Sequence, residues 1–178
     1  MEARTGNEDV KTAVLLPHPE AVGGPAIDVT VLFERRGGSL WLRYVVDGDV
    51  DAIKWPLLVK PGRIDRLWTT TCFEAFVKTP KGYHEFNLSP SGQWASYRFD
   101  GYRQGMANAL EAVVVAGLDC AADMVALEGT VPLPPDASHL GLSAVVEAKD
   151  GTISYWALAH PSNTPDFHHP DSFTLELP

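Results

Sequence analysis

The sequence predicts an all-β fold, an antiparallel β-sandwich of the immunoglobulin-like or jelly-roll-like kind with about ten strands. Short runs rich in β-branched and aromatic residues recur along the chain and are separated by Gly, Pro and Asp turns. No long stretch repeats apolar residues at helical spacing. With 178 residues, 45% of them hydrophobic and 21% charged, the chain has the size and composition of one globular domain.

The two ends of the chain differ in composition, and this sets the expected domain boundary. Residues 1–24 are rich in polar residues, Gly and Pro. Such a segment is typical of a terminus that is not held by other parts of the fold. We therefore expect residues 1–24 to form a flexible arm and residues 25–178 to form the sandwich domain.

The strands of the domain follow from alternation and turn residues. The clearest pair is an opening hairpin over 27–35 and 39–46, which turns at Gly37 and Gly38. Further strands are predicted over 71–78, 82–88, 93–99, 112–118, 124–131, 140–148, 153–159 and 173–177. A short helical turn over 104–110 is a weaker prediction, because Gly105 disfavours it.

The Ser-Pro-Ser-Gly turn at 89–92 decides which side chains share a face of the sheet. Pro at its second position and Gly at its fourth suit a type I turn followed by a bulge, which places Ser89 opposite Gln93. In that register Arg98 lies on the face opposite to Glu85 and Asn87. A tight two-residue turn would place all three on one face, so the sequence leaves the position of Arg98 open.

Charge and apolar content exclude several kinds of partner. The net charge of -9, from 14 basic and 23 acidic residues, opposes binding to nucleic acid or to an anionic membrane. The first apolar run, 13–16, is too short for a signal peptide, and no segment has the length of a membrane span. We therefore expect a cytoplasmic protein. Cys72 and Cys120 lack metal-type spacing and are predicted to be free thiols in the core.

Two stretches, 67–106 and 155–168, resemble the DOMON-like superfamily and, within it, bacterial relatives of family 9 carbohydrate-binding modules. The shared pattern is a Trp followed by an acidic residue in an apolar strand, here Trp68 and Glu74, and then an aromatic-rich strand with the Ser-Pro-Ser-Gly turn. The resemblance extends over about residues 27–177 and implies a β-sandwich that holds a sugar or a haem.

A sugar site needs an aromatic ring for the C–H face of the pyranose and polar groups for its hydroxyls. The resemblance implies Trp68 and Glu74 for these roles, with Trp156 as a candidate second ring. Most tryptophans pack in cores, so a structural role is the first alternative for each ring. A position on a solvated face of the sheet is the alternative for Glu74. We predict a non-catalytic module with no cofactor, whose sugar site comprises Trp68, Glu74, Glu85, Asn87, Arg98 and Trp156.

Three alternatives stay open. A haem-binding electron-transfer domain would need axial ligands, for which the candidate pairs are Met106 with His160 and Met106 with His84. A metal-dependent or acid–base enzyme would use the loop His160 to Asp171, through Asp166, His160 and His168, although these spacings match no zinc signature. A protein-interaction domain without a small ligand is the third. The oligomeric state is left undetermined.

Overall fold

A computed structural model describes residues 10–177, which form one curled, mixed β-sheet. The helical elements in this part of the chain are three single turns of 3₁₀ helix, Val50–Ala52, Leu67–Thr69 and Pro170–Ser172. The strands are β1 (Lys11–Pro17), β2 (Ile27–Arg36), β3 (Ser39–Gly48), β4 (Gly62–Arg63), β5 (Cys72–Thr79), β6 (Gly82–Leu88), β7 (Gln93–Phe99), β8 (Ala107–Asn108), β9 (Val114–Ala121), β10 (Met124–Pro132), β11 (His139–Glu147), β12 (Ile153–Ala157) and β13 (Leu175–Glu176).

The sheet runs in the order β4-β7-β6-β5-β11-β12-β1-β2-β3-β10-β9, with β13 added to β11 and β8 added to β7. The prediction of an all-β fold is confirmed. The prediction of a purely antiparallel sheet is wrong at one pair, because β4 runs parallel to β7, with Gly62 opposite Gln93. No hairpin links these two strands, so the chain is free to enter β4 in either direction.

The expectation that residues 1–24 form a flexible arm is wrong for β1. This strand pairs with β2 along most of its length and with β12 at its end, and it buries Ala13 and Leu15. Its pattern was missed because the outward-facing Val14 and Leu16 are also apolar, so that no alternation of apolar and polar residues is visible. Residues 1–9 lie outside the described part of the chain.

The ten predicted strands correspond within a few residues to β2, β3, β5, β6, β7 and β9 to β13. The two-residue strands β4 and β8 were not predicted, since elements of this length carry no sequence period. The helical turn over 104–110 is wrong. Arg103 and Gly105 instead have positive φ values of 53° and 65°, which break a helix, and Ala107 and Asn108 pair with β7.

One apolar core lies between the two halves of the curled sheet. It is built from inward-facing residues of β2, β3 and β10 on one side and of β5, β6 and β11 on the other. Tyr44 on β3 joins the halves directly, because its ring packs 4.8 Å from that of Phe73 and its hydroxyl donates a hydrogen bond of 2.6 Å to the backbone oxygen of Glu74. This contact fixes β5, which carries part of the site described below.

The two cysteines have different environments. Cys72 on β5 is a buried free thiol, as predicted. The prediction that Cys120 is in the core is wrong, since Cys120 is exposed on β9, the last strand at one end of the sheet. Across residues 10–177, no helix has the length and apolar character needed to cross a membrane.

Candidate functional site

The turn between β6 and β7 has the predicted geometry. The backbone N–H of Ser89 donates a hydrogen bond of 3.0 Å to the backbone oxygen of Gln93, and Gly92 has a φ of 87°. Glu85 therefore lies opposite Tyr97, whereas Arg98 lies opposite His84. Because neighbouring residues of a strand point to opposite faces, Arg98 is on the other side of the sheet from Glu85.

Strand β5 brings a second carboxylate to the same face as Glu85. Glu74 lies opposite Asn87 on β6 and opposite Ser143 on β11. The odd-numbered neighbours of Glu74 on β5, such as Phe73, point into the main core. The face that carries Glu74, Glu85 and Asn87 is thus turned away from that core.

A cavity of about 340 Å³ covers this face. The sheet supplies part of its wall, and the remainder comes from the Leu67–Thr69 helix, the segment after β7 and the loop after β12. Its lining residues are Trp68, Glu74, Glu85, Phe99, Arg103, Met106, Tyr155, Pro165, Phe167 and His168. A volume of this size and a mainly apolar wall with a few polar groups are typical of a small-molecule site.

The aromatic part of the wall is held by contacts from behind. The half-buried ring of Trp68 meets the ring of Tyr97 edge-on, with centroids 5.7 Å apart. The Tyr97 hydroxyl in turn donates a hydrogen bond of 2.7 Å to the Asp65 carboxylate. On another side, Tyr155 and Phe167 are in edge contact at 6.1 Å. These contacts orient apolar surfaces toward the cavity before any ligand enters.

The two carboxylates of the cavity are strongly buried. Glu74 is 2% exposed, and its Oε2 accepts a hydrogen bond of 3.3 Å from Ser143. Glu85 is 4% exposed, and its Oε1 accepts 3.0 Å from the Asn87 amide. Burial raises the pKa of Glu74 well above its ordinary range, and the neighbouring charge of Glu85 adds to this effect. Burial also raises the pKa of Glu85, to about 7.

Asn87 orients Glu85 and also leaves one acceptor unused. Its side-chain amide is fully buried, and its Oδ1 has no hydrogen-bond partner among the described residues. A protonated carboxyl group beside it could donate to that oxygen. The environment therefore favours holding one of the two carboxyl groups in its neutral form.

Tyr83 and His168 form a short chain of polar contacts between the loop and Glu85. The Arg103 backbone N–H donates 3.2 Å to the Tyr83 hydroxyl, and that hydroxyl lies 2.8 Å from Nδ1 of His168. Because the Tyr83 oxygen already accepts a bond, its proton is assigned to the bond with Nδ1. The proton of a neutral His168 is then on Nε2, which lies 3.7 Å from Oε2 of Glu85. Burial lowers the pKa of His168 to about 4, so the ring is neutral at physiological pH.

Asp166 anchors the loop over the cavity. Its carboxylate accepts hydrogen bonds from the Tyr102 hydroxyl and from the Arg103 guanidinium, the latter at 2.7 Å. Partial burial raises the pKa of Asp166, but the bonds from Tyr102 and Arg103 outweigh this effect and lower it. The charge of Arg103 is therefore compensated within the wall of the cavity.

Four of the six predicted site residues lie together. Trp68, Glu74 and Glu85 line the cavity, and Asn87 supports Glu85. The prediction that Arg98 lies in the site is wrong. Strand alternation places Arg98 on the face of the sheet opposite to Glu85, where its side chain is exposed.

The predicted role of Trp156 is also wrong in position. Trp156 is 7% exposed within the main core, where its indole N–H donates 2.9 Å to the Ser154 hydroxyl. The cavity instead receives the adjacent residue, Tyr155, which points to the other face of β12 and lies opposite Val145. The alternation of the strand could have identified Tyr155, and the register of the β6–β7 hairpin could have identified Phe99. The positions of Phe167 and His168 depend on the path of an irregular loop, for which the sequence has no comparable signal.

The residues of the haem and enzyme hypotheses do not form a complete site. Met106 lines the cavity, but His160 lies 2.7 Å from the Leu16 oxygen and packs against His18, and His84 is on the opposite face of the sheet. Neither pair of proposed haem ligands therefore shares the cavity. Asp166 and His168 hold the loop, and no group of three or more metal-type side chains converges in residues 10–177.

Comparisons with known proteins give similarity at the level of structure. No family model matches the chain, and no curated protein matches it in sequence. The structure resembles that of a protein from Bacteroides uniformis ATCC 8492, which is only provisionally assigned as carbohydrate-binding. The TM-score is 0.67, the sequence identity is 14%, and the match covers 92% of this chain and 84% of that one. It also resembles a family 9 carbohydrate-binding module from Caldicellulosiruptor kristjanssonii in complex with cellotriose, with a TM-score of 0.54 and 11% identity over 94% and 80% of the two chains. The resemblance to family 9 relatives is thus confirmed for the fold.

Proposed function

We propose that this protein is a non-catalytic module that binds a carbohydrate in the cavity above Glu74 and Glu85. The observation that carries the proposal is the convergence of Trp68 with these two buried carboxyl groups around one open space. The fold shared with a module crystallised with cellotriose supports the same ligand class. We also assign the curled sheet to the sandwich architecture of the DOMON-like superfamily, on the support of the single core between its halves.

Binding would use stacking and hydrogen bonds. A pyranose ring places its C–H face against an aromatic ring such as Trp68, which the edge contact with Tyr97 already holds in place. Sugar hydroxyls then donate to the carboxyl oxygens of Glu74 and Glu85 or accept from the Arg103 guanidinium. Because these groups are oriented in the free protein, little side-chain entropy is lost on binding.

The test is a titration with a panel of mono- and oligosaccharides, including cellotriose, followed by tryptophan fluorescence and calorimetry. Loss of a stacking ring at the centre of a site typically weakens binding at least about tenfold, so Trp68→Ala should do so. Trp41→Ala is the matched control. Trp41 bonds Glu128 and lies under Arg36, away from the cavity, so its removal should leave the affinity unchanged.

Two results would overturn the proposal. If the unmodified protein binds no sugar of the panel, the proposed ligand class is wrong. If Trp68→Ala and Trp41→Ala lose affinity equally, the proposed location of the site is wrong. The non-catalytic role has its own test, since release of nitrophenol from aryl glycosides by the unmodified protein, abolished by Glu74→Gln, would show an enzyme instead.

A further inference from the structure

The charged groups of the cavity are not balanced. Among its described lining residues the acidic side chains are Glu74 and Glu85 and the basic one is Arg103. Arg103 is already paired with Asp166 at 2.7 Å, and His168 is neutral. Against the dominant effect of burial, the charge of Arg103 still lowers the pKa of Glu85 through space, but the ion pair that Arg103 forms is with Asp166, so neither Glu74 nor Glu85 has a cationic partner in direct contact among the described lining residues.

Glu74 has an oxygen that no protein group uses. The Ser143 hydroxyl bonds to Oε2, and no described residue donates to Oε1 of this carboxyl group, which is 2% exposed and lines the cavity. A buried carboxylate without a partner is costly, and the raised pKa of Glu74 expresses that cost. A donor brought by the ligand would remove it.

We infer that the ligand of this cavity carries a protonated amine next to its ring, as an amino sugar does, and that the ammonium group binds between Glu74 and Glu85. This inference rests on the proposed function and specifies the class of sugar. An ammonium group provides three donors and a positive charge, which match the free oxygen and the uncompensated acidity of this surface.

The aromatic wall favours the same ligand. Trp68, Phe99, Tyr155 and Phe167 line the same cavity as the two carboxyl groups. The faces of aromatic rings attract cations, and cages of such rings with nearby carboxylates select ammonium groups over neutral ones. An acidic sugar is disfavoured, because its carboxylate would approach Glu74 and Glu85 while the only guanidinium of the described wall is engaged by Asp166.

The experiment compares matched sugars by calorimetry at pH 6.5. Glucosamine, galactosamine and mannosamine are each measured against the neutral parent sugar and the N-acetylated form, which keeps the ring and removes the charge. The amine should bind at least about tenfold more tightly than both counterparts in one or more of the three series. Glu74→Gln, which keeps the shape of the side chain, should reduce that preference to less than about threefold. Glu128→Gln, which removes a carboxylate on β10 that pairs with Arg43, should leave the preference for the amine unchanged.

The outcomes separate the two proposals. Neutral sugars that bind as tightly as their amines would overturn the inference and leave carbohydrate binding intact. If none of the nine sugars binds but an oligosaccharide such as cellotriose does, the inference fails and carbohydrate binding stands. If neither the nine sugars nor the oligosaccharides bind, both proposals fail. If Glu74→Gln does not fold by thermal melting, Glu85→Gln replaces it, and a full preference for the amine in a folded Glu85→Gln protein would also contradict the inference.

Discussion

The buried carboxyl group of Glu85 should make the stability of the protein depend on pH, and Glu85→Gln should remove much of this dependence. The pKa of Glu85 is raised from 4.5 to about 7, chiefly by burial. The folded state therefore holds a proton that the unfolded state releases between these values. The stabilisation is complete below pH 4.5 and is lost as the pH rises through 7. The difference between the two pKa values corresponds to about 3 kcal/mol.

Urea unfolding at pH 4.5, 6 and 8 measures this effect. The Gln side chain does not titrate, so the stability of Glu85→Gln relative to the unmodified protein should rise by about 3 kcal/mol from pH 4.5 to pH 8. Groups whose pKa values are lowered, such as Asp166, change stability in the opposite direction but are common to both proteins. The loss of the Glu85 charge also removes part of the rise in the pKa of Glu74, which is otherwise due to burial, and this acts in the same direction as the loss of Glu85 itself. A difference for Glu85→Gln that stays within about 1 kcal/mol across this range would refute the reasoning.

Three further predictions concern the backbone, the core and the site. Gly82→Ala should destabilise the fold by more than about 2 kcal/mol in urea unfolding, because φ is 132° and the added Cβ would overlap the carbonyl oxygen of Phe99 on β7. Gly151→Ala, where φ is 90° but the space around the added Cβ is open, should cost about 1 kcal/mol. Tyr44→Phe should lose about 1 kcal/mol in the same assay, because it removes a buried hydrogen bond of 2.6 Å between the two halves of the sheet. Arg103→Ala should weaken sugar binding about tenfold in calorimetry, because it releases the loop over the cavity. Arg98→Ala should leave the affinity unchanged, and equal effects of the two substitutions would contradict the assignment of Arg98 to the opposite face.

The sequence predicted the strands well where one face is apolar and the other polar. The hairpin of β2 and β3 shows this alternation at most positions, and the predicted strands end within two residues of the observed ones. Strand β1 was missed because Val14 and Leu16 are apolar on the exposed side. The parallel pairing of β4 depends on the path of a long connection, which local patterns do not specify.

The site was predictable as far as strand register allowed. The turn at 89–92 correctly predicted that Glu85 and Asn87 share a face of the sheet. It left open which of the two faces carries Arg98. Trp156 was selected for its residue type, although strand parity sends Tyr155 to the cavity in its place. The partners that the loop supplies come from residues far away in sequence, and only tertiary packing brings them to the cavity.

The two ends of the sheet have a consequence for self-association. A sheet that is not closed can recruit a strand from another molecule through its unpaired backbone groups. At one end the outermost strand, β4, has only two residues. At the other end β9 is interrupted by a register shift opposite Glu128 and Gly129, and Asp119 on it carries a charge that binds Arg43. Both borders are therefore poor templates for strand addition, which should protect this β-rich chain from aggregating through its margins at high concentration.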